Sequence, residues 1–315
     1  MKFLLAVFIT LLNGCVSLFT SCSAKPNNVP PSDTTAENAA INYLKDTLSI
    51  LISEYPGETG IALITDRNDT LAINNTADYP LMSVFKLHQG VSLCRLFEKT
   101  GRSLDTIVTV YRDSMNPDTW SPMLKDYKDK EFKLTVRRLL EYAIQQSDNN
   151  ASNYLFRNFE SVARVDSCIA TFTPRESFRL AVTEGEMWSD HSLCHQNRSS
   201  PLGAAILLDR LFTDSLLTSP SQDFIKQTLL GCLTGNDRIA APLLHAEGIR
   251  IAHKTGSGYR DENGVLTAHN DVGVILFPDG RHYTLAVFVK DFHGTESEAS
   301  QEIARISAVV FDALK

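Results

Sequence analysis

From about residue 36 onward the chain alternates between two hydrophobic rhythms, and their order outlines a fold. Residues Ala36 to Glu54 carry apolar side chains at helical spacing. Gly60-Ile-Ala-Leu-Ile-Thr and Thr70-Leu-Ala-Ile-Asn then read as two strands joined by the polar turn Asp66-Arg-Asn-Asp. From Ser83 to about Leu230 the pattern is mainly helical: Ser83 to Glu98 is closed by Gly101, Leu134 to Gln145 follows a polar turn, and Pro201 to Phe212 carries its proline in the first turn. Strand patterning returns at Gly248 to Lys254, Thr267 to Phe277 and Tyr283 to Lys290, with Pro278-Asp279-Gly280 as a turn, and Glu296 to Leu314 closes as a helix. Strands at both ends with helices between them predict an α+β fold, in which a five-stranded antiparallel sheet built from both chain ends is flanked by helices and an all-helical domain is inserted. The expected division is residues 36–80 plus 233–315 for the sheet domain and 81–232 for the helical one.

The N-terminus follows neither rhythm. Met1-Lys2 and the apolar run Phe3 to Leu12 have the form of an export signal, too short to span a bilayer, which we place at residues 1–22. Residues 23–35, rich in Pro, Asn, Ser and Thr, read as a disordered tether. Cys15 and Cys22 each follow a small residue, as at a bacterial lipoprotein cleavage site, and Cys22 is the better candidate because apolar character continues through Leu18-Phe19. The expectation is an exported, periplasmic and monomeric protein, either anchored to the membrane by lipid on Cys22 or released by ordinary cleavage around Ser21 to Ala24.

Composition narrows the choice further. With 315 residues and 43% hydrophobic content, the chain can bury a substantial core. A net charge of −7, with no clustered Lys/Arg stripe, argues against nucleic acid as a partner. Past the signal, Cys94, Cys168, Cys194 and Cys232 are widely spaced without a C-x-x-C pair, so we read them as buried free thiols. His191-Ser-Leu-Cys194-His195 raises a metal site, but neither H-E-x-x-H nor H-x-H-x-D is present, and no metal or other cofactor is expected.

Three short motifs carry candidate chemistry. Ser83-Val84-Phe85-Lys86 is S-x-x-K at a helix start, a spacing that puts hydroxyl and amine on one face and lets a lysine activate a weak nucleophile. Taken alone it is an ordinary helix cap beside a surface lysine. Ser147-Asp148-Asn149 lies in a turn between helices, where such residues commonly cap. Lys-Thr-Gly occurs twice: Lys99-Thr100-Gly101 ends a helix and reads as capping, whereas Lys254-Thr255-Gly256, followed by Ser257, ends a strand. There it can offer a cation, hydroxyls and backbone N–H groups to an amide-like substrate bearing a carboxylate.

In the order S-x-x-K, S-D-N, K-T-G, these motifs resemble the signature of class A serine β-lactamases and penicillin-binding proteins. Trp120-Ser121-Pro122, Ser200-Pro-Leu-Gly-Ala-Ala and Asp237-Arg-Ile-Ala-Ala-Pro-Leu-Leu extend the resemblance, which covers nearly everything after the tether and is closest to the CfxA-like, PER-related cephalosporinases. It implies hydrolysis of small-molecule β-lactams through an acyl-enzyme, with Ser83 as nucleophile, Lys86 accepting or relaying its proton, and Ser147 protonating the leaving nitrogen. It places Asn149 and Trp120 at the substrate, gives its carboxylate to Lys254, Thr255, Gly256 and Ser257, and makes the oxyanion hole from the N–H groups of Ser83 and Ser257. Glu184 in Thr183-Glu-Gly-Glu-Met-Trp188 is the implied deacylating base, with Glu186 as the alternative two residues on.

The chain departs from that pattern at three points. Trp188 stands where most relatives have an Asn four residues after the glutamate, Val182 and Asn197 occupy the places of a loop-clamping Arg–Asp pair, and Asn270 replaces an arginine that grips the substrate carboxylate. Two neighbouring functions share the motifs. A D-alanyl-D-alanine carboxypeptidase generally lacks the deacylating glutamate, and a β-lactam sensor acylates and stops.

Overall fold

The computed structural model describes residues 33–315, with side chains from residue 40 on. Helix α1 (Asp33–Ile52) precedes the hairpin β1 (Glu58–Thr65) and β2 (Thr70–Ile73), followed by the two-residue strand β3 (Tyr79–Pro80). A 3₁₀ turn at Met82–Val84 runs into α2 (Phe85–Thr100), which Gly101 ends at φ 65°, a left-handed cap that glycine adopts without a Cβ penalty. Next come β4 (Ile107–Tyr111), α3 (Pro122–Asp126), β5 (Glu131–Thr135), α4 (Val136–Gln145), α5 (Asn149–Asn158) and α6 (Val162–Ile169). Then follow β6 (Phe178–Arg179), α7 (Glu184–Ser189), β7 (Arg198–Ser199), α8 (Pro201–Thr213) and α9 (Ser219–Leu230). The chain closes with β8 (Arg250–Ser257), β9 (Leu266–Leu276), β10 (His282–Phe292) and α10 (Glu296–Leu314).

Five of these strands form one antiparallel sheet in the order β2-β1-β10-β9-β8, so the first hairpin and the last three strands meet in its middle, as the sequence predicts. Because side chains alternate across a strand, β1 serves two cores: Ile61 and Leu63 pack with Leu44, Leu48, Ile303 and Ile306, whereas Ala62 and Ile64 join Leu207, Leu208 and Phe288. The sheet is therefore buried on both faces, and β8 is left as an edge that can present backbone groups.

Residues 81–232 are not wholly helical. Strands β4 and β5 pair from Ile107↔Thr135 to Tyr111↔Glu131, and β6 and β7 form a small sheet with β3. The predicted helix from Leu134 begins only at Val136, since in Glu131-Phe-Lys-Leu the side chains of Phe132 and Leu134 are buried while Glu131 and Lys133 are exposed, a period of two. Helix α1 likewise starts at Asp33, inside the expected tether, because short polar residues suit a helix's first turn as well as a linker. The rest of the tether, the export segment, Cys15 and Cys22 lie outside the described residues.

The four remaining cysteines are free; Cys94 and Cys194 are buried as expected, but Cys168 and Cys232 are partly exposed. Among the described residues no helix is long and apolar enough to cross a membrane.

Candidate active site

The turns that carry Ser83 and Ser147 are held under strain. Met82 adopts φ 46° and Ser147 φ 57°, both in the left-handed region that costs a side-chain-bearing residue about 1 kcal/mol or more. Strand β8 runs so close to the first of them that a Cβ on Gly256 would stand 2.5 Å from the Leu81 carbonyl oxygen, which makes the third motif's glycine a packing requirement. Asp148 locks the second motif, capping α5 through the Ala151 N–H while accepting from the Met123 N–H and the Ser121 hydroxyl.

This frame brings the three motifs around one hydroxyl. Lys86, fully buried, donates to Ser83 Oγ at 2.9 Å, the Ser147 carbonyl at 2.8 Å and Asn149 Oδ1 at 2.6 Å, and pairs with Glu184 Oε1 at 2.8 Å. An ammonium has three protons for these four oxygens, so any movement of one oxygen redistributes them. Burial pushes the Lys86 amine below its ordinary range, and the Glu184 charge only partly opposes that. Ser83 Oγ in turn donates to Glu184 Oε1 at 3.0 Å. Lys254, also fully buried, donates to Ser147 Oγ at 3.1 Å. The Ser83 hydroxyl, the Lys86 amine and the Glu184 carboxylate are thus mutually hydrogen-bonded, and Ser147, whose carbonyl meets Lys86 and whose hydroxyl meets Lys254, joins them to the second amine, an arrangement suited to proton transfer.

The structure separates the two glutamates. Glu184 is only 4% exposed and faces Ser83. Glu186 points the other way, its carboxylate spent on the backbone N–H and hydroxyl of Thr183 in a reciprocal cap of α7. The start of α7 is pinned to α5, where Asn153 Oδ1 accepts from the Gly185 N–H at 2.9 Å, a contact that no motif signals. Where an Arg–Asp clamp is missing, buried Asn197 does the work uncharged: Oδ1 accepts from the N–H groups of Ala181 and Val182, and Nδ2 donates to the Val182 carbonyl.

The open side is a cavity of about 460 Å³ lined by Ser83, Ser147, Asn149, Glu184, Thr255 and Ser257, with Trp120, Trp188 and Tyr259 as aromatic walls. Trp120 anchors its Nε1 on the Gln146 carbonyl at 2.8 Å and leaves its ring half exposed. His191 stacks on Tyr259 at 3.7 Å between ring centroids and meets Trp188 edge-on, tying the glutamate loop across to the residues after β8.

Asn270 does not take the place of the absent arginine at the cavity. It is buried, donating to the Pro80 carbonyl at 2.7 Å. Arg238 comes instead from the loop before β8: its guanidinium donates to Ser257 Oγ at 2.6 Å and to the carbonyls of Gly256 and Asn270 at 3.1 and 2.7 Å. It also lines the cavity, as does Thr234, whose hydroxyl is 2.6 Å from that of Thr255. Arg238 carries no motif of its own, and its one signal in the sequence is the missing arginine at Asn270.

The model of the β-lactamase enzyme family matches residues 42–314. A β-lactamase of Phocaeicola vulgatus is 54% identical over 298 residues, covering 95% of this chain and 90% of the relative. The extended-spectrum β-lactamase PER-1 of Pseudomonas aeruginosa is 33% identical over 85% of this chain and 86% of its own. The crystal structure of a class A β-lactamase representative from Bacteroides cellulosilyticus superposes with a TM-score of 0.82 at 28% identity, over 87% of this chain and 98% of the other. With its motifs converging on Ser83 and its length matched almost throughout, this chain belongs to the β-lactamase enzyme family, as a class A member.

Proposed function

We propose that this hydrolase opens the β-lactam amide through an acyl-enzyme on Ser83 and frees the product with water activated by Glu184. The observation that carries the reading is the double contact of Ser83 Oγ, 2.9 Å from Lys86 Nζ and 3.0 Å from Glu184 Oε1, which supplies a proton acceptor for each half of the reaction. In acylation the Ser83 proton passes to the Lys86–Glu184 pair as Oγ attacks the carbonyl carbon. The N–H groups of Ser83 and of edge-strand Ser257 take the developing oxyanion. When the C–N bond breaks, nitrogen receives the proton of Ser147, whose oxygen is held by Lys254, and Ser147 is reprotonated by the proton that the Lys86–Glu184 pair took from Ser83, which leaves Glu184 ionised for the second half. In deacylation Glu184 takes a proton from water, the water oxygen attacks the ester, and Ser83 leaves with its proton restored.

Substrate placement follows the cavity. Thr255, Ser257 and Arg238 line the end of the cavity assigned to the substrate carboxylate, with Lys254 and Gly256 buried beside them on β8, Asn149 is assigned its side-chain amide, and the three aromatic rings border the groups beyond it. Penicillins and cephalosporins both carry that carboxylate, and similarity to an extended-spectrum relative favours cephalosporins. The basic and apolar N-terminus supports export to the periplasm, with Cys22 as the lipid-anchor candidate on an otherwise monomeric enzyme.

Purified protein mixed with a chromogenic cephalosporin, followed by colour and by intact mass, tests the reading. Many colour-forming turnovers with a transient acyl adduct are expected. One equivalent of colour and a lasting adduct would point to a penicillin-binding protein or a sensor instead. Within the same assay, Arg238→Ala should raise KM about 10–100-fold with a smaller change in kcat, the loss of one charge-assisted contact to an anion. An unchanged KM would remove Arg238 from carboxylate binding.

A further inference from the structure

Among the described residues three charged side chains line the active-site cavity, and one of them has no partner. Glu184 is engaged by Lys86 and Ser83, and Arg238 by Ser257 Oγ and two backbone carbonyls. The third is Glu296, at the start of α10, whose exposed side chain forms no hydrogen bond or ion pair with any described residue. An acid in a helix's first turn suits the helix dipole. Here, however, Thr295 and Glu298 make the reciprocal cap of α10, and Glu296 takes no part in it.

The fold puts Glu296 at one end of that cavity. Ser257 pairs with His269 in the β8–β9 ladder, and the His269 ring lies 2.8 Å from the Ser300 hydroxyl on α10. Ser300 comes four residues after Glu296, so the two share one face of the helix, with Glu296 a turn nearer its start. Arg260, just past β8, donates to the Gly294 carbonyl at 3.0 Å and ties the approach to α10 to the same strand end. Glu296 therefore stands with Ser257 and Arg238 at the end of the cavity assigned to the substrate carboxylate. The electrostatics agree with this placement. Burial depresses the Arg238 guanidinium, and Glu296 follows Asp271 and Asp237 among the carboxylates that oppose the depression.

We propose that Glu296 is a specificity-determining residue that receives a cationic C3 substituent of a cephalosporin, so that the enzyme prefers zwitterionic cephalosporins to monoanionic ones. The inference rests on the carboxylate placement given above. In a cephalosporin the carboxylate and the C3 substituent are carried by adjacent ring carbons. A carboxylate seated against Thr255, Ser257 and Arg238 therefore sends that substituent along the same end of the cavity, where the Glu296 side chain has no competing partner. A pyridinium nitrogen there meets an opposite charge. With a neutral substituent the same residue is a cost, because its charge opposes the substrate's own carboxylate. Penicillins, whose smaller ring carries only methyl groups beside the carboxylate, meet only that cost.

The test uses two cephalosporins with the same acyl side chain, one bearing a pyridiniomethyl and the other an acetoxymethyl group at C3, on the full chain and its Glu296→Gln and Glu296→Lys variants. The readout is the ratio of their kcat/KM values, cationic over neutral, from which any inactive fraction of a variant cancels. An exposed charge pair changes binding only a few-fold, so at low ionic strength the ratio should fall about 2–5-fold in Glu296→Gln, and further in Glu296→Lys. At about 1 M salt, where charges are screened beyond roughly 3 Å, most of that difference should disappear. An equal ratio in all three proteins would overturn the proposal. So would a fall that is the same at both salt concentrations, since it marks a change of shape and not of charge. Arg238→Ala reports separately on the premise: an unchanged KM there removes the carboxylate placement itself, whereas a raised KM beside an invariant ratio removes only the role of Glu296.

Discussion

Ser83→Ala is expected to lower kcat by roughly a millionfold and to abolish the acyl adduct in intact mass, the scale seen when a nucleophile is deleted from a co-operating set. The effect is large because the remaining groups serve that one oxygen. Lys86 and Glu184 would still pair at 2.8 Å, and Lys254 would still hold Ser147, but no atom would be placed to attack. Binding should persist, because the aromatic walls and the carboxylate-facing side chains are untouched. The melting temperature should not fall: the lost hydroxyl makes only two hydrogen bonds, in a turn strained at Met82. An adduct still forming on Ser83→Ala would place the nucleophile elsewhere, with Ser147 the first alternative.

Much of this site was legible from residue types because its chemistry sits at element boundaries that the sequence marks. Ser83 sits in the turn that leads into the helix Gly101 closes, Asp148 caps α5, and Lys254 precedes a glycine that only close backbone passage explains. Each motif was ambiguous alone, and the second Lys-Thr-Gly at Lys99 shows how little a tripeptide means outside its context. The sheet was legible for a related reason. Strands such as β9 and β10, buried on both faces, read as apolar runs of strand length bounded by a turn.

What stayed hidden depends on long-range contact. Arg238 reaches Ser257 and the Asn270 carbonyl from an irregular loop, 19 and 32 residues away along the chain, and no periodicity reports such a reach. The loop clamp illustrates the same point. An Arg–Asp pair was visibly missing, but that one buried amide at Asn197 could satisfy three backbone groups follows only from the folded path of residues 181–182. The β4–β5 hairpin was missed because its strands are short and half-exposed, and a helix follows β5 without a break.

Glu184→Gln should separate the two halves of the reaction. The amide is nearly isosteric and its oxygen can still accept from Lys86, but it cannot hold the proton of an attacking water. Deacylation is therefore expected to fall about 10²–10⁴-fold, the usual worth of a positioned general base. Acylation should survive in part. Glu184 is the largest influence opposing the burial-driven depression of the Lys86 amine, so its neutralisation pushes that amine further toward the free base, able to take the Ser83 proton. A burst of one equivalent of colour should then precede a slow steady state, with the acyl adduct dominating the mass spectrum. Release at the wild-type rate would move the deacylating base to another residue. Glu186 could not fill that role without breaking the cap it makes with Thr183, because both of its short contacts, at 2.7 and 2.8 Å, belong to that cap and its side of the helix faces solvent.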